Sequence, residues 1–164
     1  MANLNKQIDD AVELTRSQEY LPALTRFLEI YGGEEPLPPM MSAKTAGGLS
    51  YFGLCLALVQ KKFKPAIELC KRAIELQFYN GDHYANLTRV YMAAGHRKKA
   101  IETAEAGLKL LPEDDSLLDA RRELGVRARP LVPFLDRSNP INVTLGQSRH
   151  ARKVTGSEKP PRKK

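Results

Sequence analysis

Histidine is the side chain best suited to move a proton near neutral pH, and this chain has three: His83, His96 and His150. None stands at a spacing from a carboxylate or nucleophile that would form an acid–base pair. No glycine-rich phosphate loop and no zinc pattern occurs in the sequence. Cys55 and Cys70 have no further Cys or His at ligand spacing, so they read as reduced core thiols rather than as part of a metal centre. The residue types therefore predict no catalysis, no metal and no cofactor, and they turn attention to binding. Two sets of side chains suit that task. Asn86 can bond a peptide backbone as donor and as acceptor, and Arg89 can hold a carboxylate by a forked contact. The other set is basic: Arg149, Arg152, Lys153, Lys159, Arg162, Lys163 and Lys164, against Glu158 alone, put +6 of the formal net charge of +7 into the last sixteen residues.

Helices are the elements that must position Asn86 and Arg89. Residues three and four apart share one helical face, so Tyr84, Leu87, Thr88 and Tyr91 make one stripe, and Ala100, Ile101, Ala104, Leu108 and Leu111 make a second. Between them Ala94-Gly95-His96 supplies a break, with Gly95 suited to the left-handed conformation that ends a helix, and Pro112 stops the second helix. The small Ala100 and Ala104 allow the two helices to lie close together. Thirty-four residues before Ala100 stands Ala66, followed by Cys70 and Ala73, with Phe63 opening that helix. Tyr51, Leu54, Cys55 and Leu58 give the corresponding first-helix stripe. Further back, Tyr20, Ala23, Leu24 and Phe27 match the start of a second helix, and Ala11 and Leu14 a first. Ala23 and Ala66 are 43 residues apart, so a linker separates these units, read over the Pro36, Pro38 and Pro39 region.

The segment from Gly81 to Glu113 resembles a tetratricopeptide repeat, a helix-turn-helix unit of about 34 residues. Tyr84, Leu87-Thr88, Tyr91, Gly95, Ala100, Ala104 and Pro112 carry the resemblance. It implies an all-α chain, a right-handed superhelical solenoid of antiparallel helix pairs. The expected organisation is a degenerate first repeat over 3–33, a Pro-rich linker over 34–46, a second repeat over 47–79 and a third over 80–112. A capping helix follows over 113–125, where Leu117, Leu118, Ala120 and Leu124 alternate with charged residues after Glu113-Asp114-Asp115. An extended Pro/apolar segment occupies 126–146, and a disordered basic tail 147–164.

Such solenoids bind on the concave face, lined mainly by the first helix of each pair. The stripe opposite Tyr84, Leu87 and Tyr91 holds Asp82, Ala85, Asn86, Arg89, Met92 and Ala93, and the preceding pair contributes Phe52 and Leu56. The expected peptide-binding groove is thus Phe52, Leu56, Asn86, Arg89, Met92 and Ala93. The resemblance implies a non-catalytic scaffold or adaptor whose partner is a protein or peptide. Two alternatives differ in class. In one, Arg149, Arg152, Lys153, Arg162, Lys163 and Lys164 make the tail an arm for nucleic acid or another polyanion. In the other the chain is a small chaperone for a secreted protein.

Residues 1 to 148 carry only +1 of the net charge, and their aromatics fall in core stripes rather than among Lys and Arg, so nucleic-acid binding through the body is disfavoured. No apolar run approaches the roughly 20 residues of a membrane span. The first residues lack the apolar stretch of a signal peptide, which predicts a cytoplasmic protein.

Overall fold

Residues 2–32 and 46–125 are described in the computed structural model, and among them every regular element is helical. The helices are α1 (Ala2–Arg16), α2 (Tyr20–Tyr31), α3 (Leu49–Cys55), α4 (Phe63–Leu76), α5 (Gly81–Ala93), α6 (Arg97–Leu110) and α7 (Asp115–Glu123). A π-helical turn, Leu56–Gln60, continues α3. The expected linker, apart from Ala46, and the expected segments 126–146 and 147–164 lie outside the described residues.

The period seen in the sequence sets the element starts. Phe63 and Arg97 open α4 and α6 at a separation of 34 residues, and Gly81 and Asp115 open α5 and α7 at the same separation. The N-caps repeat as well: the Asn80 side chain accepts from the Asp82 N–H at 3.1 Å, and that of Asp114 accepts from the Leu117 N–H at 3.0 Å. Each satisfies a backbone donor that the helix itself cannot. At the other end of α7, the Arg97 guanidinium donates to the Leu124 carbonyl at 2.6 Å.

The helices pack as pairs, α1 with α2, α3 with α4 and α5 with α6. Each first helix also touches the first helix of the next pair, giving the series α1, α3, α5, α7, while the second helices α2, α4 and α6 do not touch one another. One apolar core runs from Ala11 in α1 to Leu124 after α7, and Tyr84, Ala85, Leu117 and Ala120 form a smaller cluster between α5 and α7. Because α3 is enclosed by neighbours all round, every residue from Leu49 to Ala57 is buried.

The register of α3 differs from the sequence expectation. Spacing put Cys55 in the stripe at the small-residue position matching Thr88, but that position falls to Gly53, where an added Cβ would lie 2.7 Å from the Ala66 carbonyl oxygen and 2.9 Å from Cys70 Sγ. Cys55 faces α1 instead, 3.4 Å from the Thr15 hydroxyl. Leu49, Phe52, Gly53 and Leu56 precede Tyr84, Leu87, Thr88 and Tyr91 by 35 residues, one more than the second-helix period. The π turn takes up that extra residue, since its wider i→i+5 bonding accommodates an insertion without breaking the helix.

Each turn between paired helices passes through one left-handed residue: Gln18 at φ 65°, Lys61 at φ 58° and Gly95 at φ 76°. Only the third uses the residue type that adopts this conformation without a steric cost.

Candidate functional site

The six residues expected to line a groove are not brought together on one open surface. Phe52 and Leu56 are fully buried. Phe52 packs against Phe27 and Tyr31 of α2, with ring centroids 5.7 and 5.6 Å away. Asn86 is 2% exposed, and its amide donates to the Ser50 hydroxyl at 3.1 Å. These three side chains join helices rather than face a ligand. Arg89 and Met92 are half-buried and Ala93 is exposed, so the stripe on α5 reaches solvent only toward its ends. The expected tail residues Arg149, Arg152, Lys153, Arg162, Lys163 and Lys164 lie outside the described residues.

Asn86 belongs to a buried chain of hydrogen bonds. Ser50 Oγ lies 2.8 Å from His83 Nδ1, and His83 Nε2 lies 2.9 Å from Gln77 Oε1. Gln77 Oε1 can only accept, so Nε2 carries the proton and Nδ1 accepts from the Ser50 hydroxyl. Ser50 then accepts from Asn86, and all donors and acceptors agree. His83 has no exposed surface, and burial depresses its pKa to about 4. A serine beside a histidine suggests a nucleophile and its base. Here both are fully buried, which leaves no path for a substrate to the hydroxyl.

The surface above this network is polar and is built by the first helices in turn. The Arg16 guanidinium of α1 lies over the Tyr51 ring of α3, 5.7 Å from its centroid, and donates to the Tyr51 hydroxyl at 3.2 Å. It reaches on to Asp82 Oδ2 of α5 at 3.0 Å. The Ser116 hydroxyl of α7 donates to the other Asp82 oxygen. Burial pushes the Asp82 carboxyl up, but the Ser116 and Tyr51 hydroxyls and the Arg16 charge together hold it below its ordinary value. Two turns further along α5, Arg89 makes a forked contact with Glu123 of α7, with Nε 3.0 and 3.1 Å from the two oxygens and Nη2 2.8 Å from one. Desolvation lowers the Arg89 pKa, and the Glu123 carboxylate, with smaller contributions from Tyr20 and Tyr51, leaves it raised overall, so the guanidinium stays charged.

Arg89 was expected to hold a carboxylate of a partner peptide, and in the structure its fork is occupied by the chain's own Glu123, which the sequence reading did not anticipate. The signal was present: Ser116 and Glu123 occupy the positions one 34-residue period after Asp82 and Arg89. Arg16 and Tyr51 have no such marker, because the first two pairs are not spaced by the period.

Both thiols are free and buried, and desolvation pushes Cys55 to about 11 and raises Cys70 further. They are protonated and unreactive. Among the described residues no three His, Cys, Asp or Glu side chains gather as a metal site, and no helix is long and apolar enough to cross a membrane. A crease of about 450 Å³ between α1 and α2 is lined by Gln7, Asp10, Glu13, Leu14, Arg26 and Ile30 among others. No family model, no curated protein and no solved structure matches the chain.

Proposed function

We propose that the chain is a non-catalytic interaction scaffold, a solenoid of tetratricopeptide-like helix pairs that binds a peptide of a partner protein on the face of its first helices. The observation that carries this reading is the series α1, α3, α5, α7, each touching the next, with Arg16, Tyr51, Asp82, Ser116, Arg89 and Glu123 meeting on one face. In an array of helix pairs this is the inner face, and it is the face that arrays use for binding. Asp82 and Arg89, set in place on one helix that is packed between its neighbours, lower the ordering cost of binding, because the receiving side is already arranged. The neighbouring Met92 and Ala93 add apolar area at the end of the same stripe.

Selection of peptides from a displayed random library against the full chain tests this. The selected peptides should bind the full chain and a chain ending at Gly146 alike, and should lose affinity for Ala93→Arg, which obstructs the face without entering the core. Peptides whose binding is indifferent to Ala93→Arg but lost with residues 147–164 would overturn the reading in favour of the polyanion arm.

A further inference from the structure

The two ion pairs on the face are unequal in depth. Asp82 is 23% exposed against 56% for Arg16, and Arg89 is 27% exposed against 45% for Glu123. In each pair the member on α5 is the deeper one, and the member reaching in from the neighbouring helix is the outer one. The α5 members are also the better anchored. Asp82 also accepts from the Ser116 hydroxyl, on the oxygen that Arg16 does not use, and Arg89 stands between Ala85 and Asn86, which are locked against α7 and α3, and the end of its helix. Arg16 lies at the end of α1, and Glu123 at the end of α7.

We propose that Asp82 and Arg89 form a docking site for an extended peptide of mixed charge, and that Arg16 and Glu123 fill its two seats when no partner is bound. The inference rests on the first-helix face being the peptide site. Seven residues of helix place the two groups on one side of α5, about 10 Å apart. A polyproline-II chain, with three residues per turn and about 3.1 Å rise, presents residues i and i+3 on one side about 9 Å apart. A lysine or arginine against Asp82 and a carboxylate on Arg89 then reproduce the contacts made by Arg16 and Glu123. A peptide with two like charges places one of them against its own sign. Exchange costs little net charge, since each incoming group replaces an internal group of the same sign, so selectivity comes from charge pattern rather than from total charge.

The test is fluorescence anisotropy with the full chain and fluorescein-labelled proline-rich peptides that carry Lys and Glu three residues apart, in either order, beside peptides carrying two Lys or two Glu. A mixed-charge peptide should bind more tightly than both like-charge ones. Glu123→Gln and Arg16→Gln, which empty a seat without touching α5, should each lower its Kd by about tenfold. The exchange Arg89→Glu with Glu123→Arg keeps an internal ion pair, preserving the fold, and should move the preference to the peptide with two Lys. Equal affinity for mixed and like charges, or no gain from the Gln variants, overturns the inference and leaves the scaffold reading standing if library peptides still lose affinity for Ala93→Arg. Failure of every designed peptide overturns the inference too. The scaffold reading falls only when the library also yields no binder sensitive to Ala93→Arg.

Discussion

His83 Nδ1 lies 2.8 Å from the Ser50 hydroxyl, and this contact fixes α5 to α3 inside the molecule. With Gln77 on the other ring nitrogen, it holds the loop after α4 to the same point. Three elements that frame the first-helix face therefore share one hydrogen-bonded centre, and that centre requires a neutral imidazole.

A pH dependence follows from that requirement. The folded-state pKa near 4 is below the unfolded value near 6.5, so the unfolded chain takes up the proton first as pH falls. The stability associated with a neutral His83 is complete above about pH 6.5 and is lost as pH falls toward about 4, by on the order of 3 kcal/mol in total. Urea unfolding at pH 7 and pH 5 should show a fall in midpoint for the native chain and a smaller one for His83→Gln. Parallel falls would show that other groups set the dependence.

Lys61 pays a steric cost at φ 58° that glycine does not. After allowing for the greater chain entropy of glycine, Lys61→Gly should stabilise by up to about 1 kcal/mol and raise Tm by a few degrees. Gln18→Gly should act in the same direction. A lowered Tm for both would mean that these side chains make contacts worth more than the strain.

Gly53 has no room for a methyl group, because the nearest atom is a backbone oxygen of α4. Gly53→Ala should overpack the pair and cost about 1–3 kcal/mol. An unchanged Tm would place the close approach of α3 and α4 elsewhere.

The Arg89–Glu123 pair is forked but partly exposed, so its worth to the fold is small, roughly 1 kcal/mol or less. Glu123→Gln should leave circular dichroism unchanged and shift Tm by only a few degrees. A collapse of helicity would instead make this contact the fastening of α7.

What was legible in the sequence is what depends on spacing along the chain. Ala66 and Cys70 against Ala100 and Ala104 mark α4 and α6, and the break at Gly95 sits where its left-handed φ requires it. What was hidden depends on meetings across the chain. Nothing near Asn86 in sequence announces that Ser50 will take its amide, and nothing near Phe52 announces the rings of Phe27 and Tyr31. The expected stripe of Tyr51, Leu54, Cys55 and Leu58 precedes that of α5 by 33 residues and the observed one by 35, and this two-residue difference rotates the face of α3. That rotation is why Phe52 and Leu56 were expected at a surface and are buried.

Hydrogen–deuterium exchange of the full chain, with and without a saturating library-selected peptide, shows whether a peptide seats on the first-helix face. Added protection should appear in the first helices α1, α3, α5 and α7, around Arg16, Tyr51, Asp82 and Arg89, with α2, α4 and α6 unchanged. Protection confined to the second helices, or to residues 147–164, would contradict it.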